Sequence, residues 1–376
     1  MKRVLAFICL ILLLCSCNTG TQVEELGIPL LEQYPEDPMS RLVWDMHLLD
    51  GKLYVGSGNY DKNSGPVDIW YYDLNASNWN KEGTLPDEEI NRFLMINGKL
   101  TIPGTDPRDD WGFGNYYVRE ESGWKTYRDI PGGIHCFDIV EFDDALFFGL
   151  GVTAGETPIA RSADGGKTFE SVPMKKAGKP LVTDMGGVIR SYNFFVFGGD
   201  LYALFTYVSK GDEPRLTELY KYNTEKNEFW YADNWQKKVP SGFVRNTFAC
   251  AKVTVGDTLF FTTGALYKTK DMKTIEPVNF KEKALTVDLI EDESGVYALR
   301  SAGNQKDGYT ISVWKNIVSG DFEQLFEFKY GVAALCFEKD GNYFYFGMGE
   351  QKFADAGEEN LLNGMVLRMK AEFTDN

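Results

Sequence analysis

The chain has 376 residues with 39 basic and 55 acidic side chains, a formal net charge of −16, and 14% aromatic residues. An acidic balance of that size excludes the basic footprint that nucleic-acid binding needs. Two histidines, His47 and His135, and six cysteines with no CxxC pair leave no ligand set for a zinc or His-rich metal centre.

Met1-Lys2-Arg3, an apolar run from Val4 to Leu14 and then Cys15-Ser16-Cys17 follow the charged, apolar and cleavage-site order of a secretory signal. About a dozen apolar residues are too few for a spanning helix, which needs roughly 20. Leu14-Cys15-Ser16-Cys17 resembles the lipobox of bacterial lipoproteins, with a leucine three places before the modified cysteine and a small residue next to it. The resemblance implies removal of residues 1–16, acylation of Cys17, and residues 17–39 as lipidated terminus and linker before a domain at 40–376. Asn18, in place of the aspartate that retains many such proteins at the inner membrane, favours the outer membrane, with the leaflet open. The mature chain keeps 360 residues, 37 of them basic and 55 acidic, for a net charge of −18. No polybasic patch is present, so membrane contact rests on the lipid alone. Cys136, Cys250 and Cys336 lie in apolar stretches and read as buried free thiols, not a disulfide framework.

From residue 50 onward a tight-turn signal followed by an apolar strand recurs seven times: D-G-K-L-Y-V-G from Asp50, N-G-K-L-T-I-P-G from Asn97, D-D-A-L-F-F-G from Asp143, G-G-D-L-Y-A-L from Gly198, G-D-T-L-F-F-T from Gly256, E-S-G-V-Y-A-L from Glu293 and D-G-N-Y-F-Y-F-G from Asp340. Spacings of 47, 46, 56, 57, 38 and 46 residues between the anchors Gly51, Gly98, Asp144, Asp200, Asp257, Gly295 and Gly341 suit four-stranded propeller blades. Asp-Gly and Asn-Gly supply the positive φ angles that two-residue hairpins demand. No long helical periodicity intervenes, so the predicted fold is all-β: a seven-bladed β-propeller, with six blades as the alternative.

Two blades carry further motifs. I-W-Y-Y-D-L-N-A-S-N-W, with Tyr72-Asp73 before a turn and Trp79 after it, resembles a kelch repeat. Ser162-Ala163-Asp164-Gly165-Gly166-Lys167-Thr168-Phe169 resembles the Asp-box of sialidase-like propellers at every defined position, with residues 122–124, 222–229 and 271–275 as looser counterparts. Ser162, Asp164, Gly166, Thr168 and Phe169 therefore form a structural staple: side-chain oxygens cap the turn's N–H groups and the aromatic packs between sheets.

Aligned by their turns, the inner strands begin at Arg41, His135, Arg190 and Arg245, with Arg92 fitting less well. Arginines at a channel mouth suit a carboxylate or phosphate, because guanidinium forks match their geometry. The structural alternative pairs them with Asp45, Asp138, Asp184 and Asp288 on or near the same strands. The loop from Pro103 to Tyr116 sets Asp106, Asp109 and Asp110 beside Arg108, Trp111 and Phe113, a mixture of hydrogen-bonding groups and flat rings that sugar recognition uses. Asn59 to Gly65 offers a D-x-N-x-G fragment of a calcium loop without its bidentate glutamate, so no metal or cofactor is expected, with calcium as the lesser reading.

Two functions follow. One is a monomeric, outer-membrane-anchored propeller that binds a glycan or a surface-complex protein through its channel-rim face. The other is a glycoside-processing enzyme, for which the sialidase-like resemblance implies an arginine cluster of Arg41, Arg190 and Arg245. That resemblance lacks the arginine-isoleucine-proline motif, and no catalytic residue is assigned. A kelch-like copper oxidase lacks histidine ligands.

Overall fold

A computed structural model describes residues 23–59, 62, 64–105, 113–131, 133, 135–152, 157–180, 188–208, 216–239, 250–316, 321–350 and 360–371. Among them the structure is all β apart from short 3-10 turns such as Pro38–Arg41. None of the described helices is long and apolar enough to cross a membrane.

Strand β1 (Val23–Gly27) is followed by an antiparallel meander of β2 (Asp45–Leu49), β3 (Lys52–Gly56), β4 (Val67–Asp73) and β5 (Asn78–Leu85). A second meander holds β6 (Leu94–Ile96), β7 (Lys99–Pro103), β8 (Phe113–Glu120) and β9 (Gly123–Pro131). Next come β10 (His135–Phe142), β11 (Ala145–Val152), β12 (Ile159–Ser162) and β13 (Glu170–Ser171), then β14 (Met174–Lys176) and β15 (Lys179–Pro180). They share one ten-stranded sheet with β16 (Val188–Phe197), β17 (Asp200–Val208), β18 (Leu216–Asn223) and β19 (Glu228–Asp233). Two further four-stranded sheets are β20 (Lys252–Val255), β21 (Thr258–Thr262), β22 (Leu266–Thr269), β23 (Glu276–Pro277), and β24 (Leu285–Asp292), β25 (Gly295–Asn304), β26 (Gly308–Asn316), β27 (Phe322–Tyr330). The last joins β28 (Ala334–Asp340), β29 (Tyr343–Met348) and β30 (Val366–Lys370) to β1.

The described residues thus form five four-stranded sheets and one of ten strands, not seven separate sheets as expected. The merger comes from Gly151 and Val152 of β11, which pair with Arg190 and Ile189 of β16. Strand length is the cause: β11 runs on past the end of β12, which pairs only as far as Gly149, and β16 takes the edge left free at Gly151 and Val152.

The first strands of neighbouring sheets pack on one another, β28 against β24 and β2, β10 against β6 and β16, and β20 against β24. The sheets therefore radiate from a common axis. The turn chemistry read from the sequence holds at Asp50-Gly51 and Asn97-Gly98, where both residues have positive φ. Gly56, Gly149 and Gly347 occupy the same register on three second strands, opposite Asp45, Asp138 and Cys336. A Cβ there would lie 2.6 Å from the Ile90 carbonyl oxygen, 2.4 Å from that of Ser191, and 2.5 Å from Val43, so a bare backbone lets the next first strand approach. Between the sheets the core is aromatic, with Phe147, Phe148, Tyr117, Tyr220 and Tyr297 fully buried, each worth roughly 1.5–3 kcal/mol. Cys136, Cys250 and Cys336 are buried free thiols.

The ring is fastened by its two ends. Val23 and Glu24 pair with Met369 and Arg368, and the Arg368 guanidinium donates to Glu24 at 2.7 and 2.9 Å. Trp79 Nε1 donates to the Leu26 carbonyl at 2.7 Å, tying β5 to β1. A strand of the fold therefore lies inside the stretch 17–39 that was expected to be linker. Five residues with two adjacent glutamates do not read as a strand until β30 supplies the partner.

Candidate functional site

Four first strands, β10, β16, β24 and β28, reach the register of their turns after a bulge at the residue that precedes Asp138, Asn193, Asp288 or Cys336, whereas β2 carries Asp45 to the same height without one. The bulge turns the next side chain toward the neighbouring strand. Asp45 accepts the Phe93 N–H at 2.6 Å, Asp138 that of Phe194 at 2.8 Å, and Asp288 that of Phe337 at 3.0 Å. The second oxygen of each accepts the N–H of the residue after it. Three aspartates at one height thus staple three pairs of first strands, which fixes those strands as parallel and level.

Their electrostatics differ. Asp138 meets Arg92 Nη1 at 3.0 Å and Lys252 Nζ at 2.6 Å, and Arg92 Nη2 donates to Asn193 Oδ1 at 3.0 Å. Burial alone would raise the Asp138 carboxyl, but Lys252 and Arg92 hold it below its ordinary value. On the opposite side Asp45, Asp288 and Glu338 come from β2, β24 and β28. Burial pushes Asp45 up to about 7; burial and the neighbouring acids push Asp288 and Glu338 up to about 8. His47 Nδ1 lies 3.6 Å from Glu338, and burial lowers the imidazole's own affinity for a proton.

The end of the axis away from the turns carries a different group. His135 starts β10 and Arg190 is the third residue of β16, and Phe137 and Tyr192 are the bulge residues two places on. The rings of Phe137 and Tyr192 lie 4.6 Å apart, and His135 stacks on Phe137 at 5.3 Å. The Arg190 guanidinium sits 5.7 Å from the Phe137 centroid and 5.9 Å from that of Tyr192, and its Nη1 donates to the Tyr192 hydroxyl at 2.9 Å. Gly151 makes room: a Cβ there would be 2.7 Å from the His135 ring. Burial, with Arg190 beside it, pushes His135 down to about 3, so the imidazole is neutral at physiological pH. Among the described residues the positive charge at this rim belongs to Arg190, which meets the Tyr192 hydroxyl and the Phe137 and Tyr192 ring faces.

Arg41 has another fate. It is 1% exposed, closes the turn Pro38–Arg41, and donates from Nη2 to the Leu361 carbonyl at 3.1 Å, where its backbone and Cβ crowd Gly364. Arg41 belongs to the closure of the ring and not to an open pocket, and the turn it closes leads into β2, which is not a neighbour of β16. Arg245, Asp106, Asp110, Trp111 and Asp184 lie outside the described residues. Arg92, Lys252 and Glu338 carry the axial electrostatics. Asp45, Asp138 and Asp288 hold neighbouring backbones instead of Arg41 or Arg190.

The Asp-box makes the contacts its residue types call for. Ser162 Oγ accepts the Gly166 N–H at 2.8 Å and donates to Asp164 at 2.8 Å. Asp164 Oδ1 accepts the Lys167 and Thr168 N–H groups, and the Thr168 hydroxyl reaches Oδ2 at 2.7 Å. Phe169 packs 5.3 Å from Phe148. Thr269, Asp271 and Thr274 repeat the arrangement, with Asp271 Oδ1 accepting the Lys273 and Thr274 N–H groups at 2.8 and 2.6 Å. In both, the motif closes the turn between third and fourth strands, remote from Arg190.

Solved structures share this architecture. Selenomethionine-substituted virginiamycin B lyase from Staphylococcus aureus superimposes with a TM-score of 0.53 at 9% identity, over 93% of this chain and 99% of that one. A catalytically inactive variant of the same lyase with quinupristin gives 0.51 at 11% identity and the same coverage. A chain of the mitotic checkpoint complex gives 0.50 at 10% identity, over 98% of both. The chain folds as a β-propeller. No protein-family model and no curated protein sequence matches it. Likeness at these identities carries the propeller fold and no activity, since propellers host unrelated functions.

Proposed function

We propose that the chain is a lipid-anchored binding propeller of the outer membrane, seven-bladed, with two blades fused in the ten-stranded sheet. Its blade-mouth face takes an acidic glycan or an acidic surface of a protein partner at Arg190. The observation that carries this reading is the setting of Arg190: a half-buried guanidinium between aromatic faces, beside a neutral histidine, with Nη1 held by the Tyr192 hydroxyl, and guanidinium groups match carboxylate and sulfate. Phe137 and Tyr192 are buried and hold the fork in place. Cys17 carries the lipid, membrane contact is otherwise absent, and the propeller acts as a monomer. The glycoside-processing alternative loses support, because Arg41 is engaged by the Leu361 carbonyl.

The test is a panel of acidic and neutral glycans offered to soluble protein beginning at residue 18, scored for binding and for product release. Binding of acidic members, at least tenfold weaker in Arg190→Ala and partly restored in Arg190→Lys, is expected. Turnover lost in Arg190→Ala would replace the binding reading with the enzymatic one.

A further inference from the structure

The two faces of the ring are chemically distinct, and β1 leaves from only one of them. Asp45, Asp138 and Asp288 bridge to Phe93, Phe194 and Phe337 at matching heights, so the hairpins between first and second strands all lie on one face. Asp340 and Tyr343 close such a hairpin; Lys370 pairs with Tyr343, and Val23 pairs with Met369. Val23 therefore stands at the hairpin face, and the chain that leads back to Cys17 departs there. Arg190 pairs with Thr206, five rungs above Val196 once the Tyr192 bulge is discounted, and Val196 is the β16 counterpart of the Lys339 level where Val23 sits. At about 3.3 Å per rung, that places Arg190 roughly 17 Å from the face where the chain departs.

We infer that the propeller stands on its membrane with the hairpin face toward the lipid and the Arg190 face toward the aqueous side, so that Arg190's partner approaches from water. This rests on the reading of Cys17 as the lipidated residue. The tether is short: six steps from Cys17 to Val23 span about 20 Å at full extension. To turn the Arg190 face downward that tether would have to run almost fully extended up the roughly 17 Å between the Val23 and Arg190 levels, whereas with the hairpin face down it starts beside the lipid and need not extend.

The experiment uses the full lipidated chain in vesicles. Because Cys136, Cys250 and Cys336 are buried, a single exposed cysteine takes a dye selectively. Asp257→Cys and Glu293→Cys put it on hairpins of the β1 face; Lys306→Cys puts it on the turn between β25 and β26, at the opposite face. With quencher-labelled headgroups, Asp257→Cys and Glu293→Cys are expected to be quenched several-fold more than Lys306→Cys. A Gly/Ser insertion of about 30 residues before Val23 should shrink the difference, since it lengthens the reach without touching the fold. Equal or reversed quenching in vesicle-bound protein overturns the orientation while leaving lipidation intact. Protein that fails to float with the vesicles overturns the lipidation reading and the orientation with it.

Discussion

The sequence aligns Arg41 and Arg190 at equivalent places near two first strands. Structurally they diverge: Arg41 is buried against the Leu361 carbonyl where the ring closes, whereas Arg190 sits at the rim among rings. The difference is one of local structure: Arg41 closes the 3-10 turn Pro38–Arg41 before β2 begins at Asp45, whereas Arg190 is paired within β16 to Thr206 on one side and Gly151 on the other. The same contrast recurs along the axis, where Asp138 is compensated by two cations and Asp288 stands near other acids.

The largest break in that contrast should come from Asp138→Ala. It strands Arg92 and Lys252 without their carboxylate and removes the staple to Phe194, costing about 4 kcal/mol, measured as a shift in the urea midpoint. Asp288→Asn, at the equivalent position without cations, should cost only about 1 kcal/mol. Arg41→Ala leaves the Leu361 carbonyl unanswered and a gap at the closing sheet, for about 3 kcal/mol, with ligand binding unchanged.

The two halves of the axis also respond oppositely to pH. Asp45, Asp288 and Glu338 have raised values, so they hold protons in the fold that the unfolded chain releases. Their stabilisation is complete below the ordinary carboxylate range near pH ~4 and is lost as pH rises through about 7 to 8. Asp138 is lowered; its contribution is present above pH ~4 and is lost as pH falls through its folded value. Denaturation at pH 5 and pH 8.5 should show the fall, and Glu338→Gln should flatten it. A profile identical in wild type and Glu338→Gln would contradict the carboxylate cluster. The smallest stability effect belongs to Ser162→Ala, which removes the acceptor of the Gly166 N–H for about 1 kcal/mol and leaves Arg190 undisturbed.

Much of the fold was legible because turns and strands announce themselves locally. Asp50-Gly51 and Asn97-Gly98 need positive φ, and the apolar strands after them need burial on both faces. The Asp-box was legible for the same reason, since all its partners lie within eight residues. What escaped were features set by distant partners. β1 takes its identity from β30, at the other end of the chain. The pairing of β11 with β16 depends on how far β11 overruns β12. Arg92 was set aside for its spacing, yet it is the cation that answers Asp138, because its neighbours come from β10 and β16. Lys252 and Glu338 gave no signal, as nothing in their local sequence says which strand will face them. Arg190 was legible as a candidate; its aromatic setting was not, since Phe137 lies on another strand.

The account stands or falls on Arg190. The decisive measurement is titration calorimetry of the tightest-binding acidic glycan against wild type, Arg41→Ala, Arg190→Lys and Arg190→Ala, each with its thermal midpoint. Expected is at least a tenfold loss of affinity in Arg190→Ala at an unchanged midpoint, a smaller loss in Arg190→Lys, and in Arg41→Ala a lowered midpoint at unchanged affinity. Equal affinity in wild type and Arg190→Ala would contradict the assignment of the ligand to the rim.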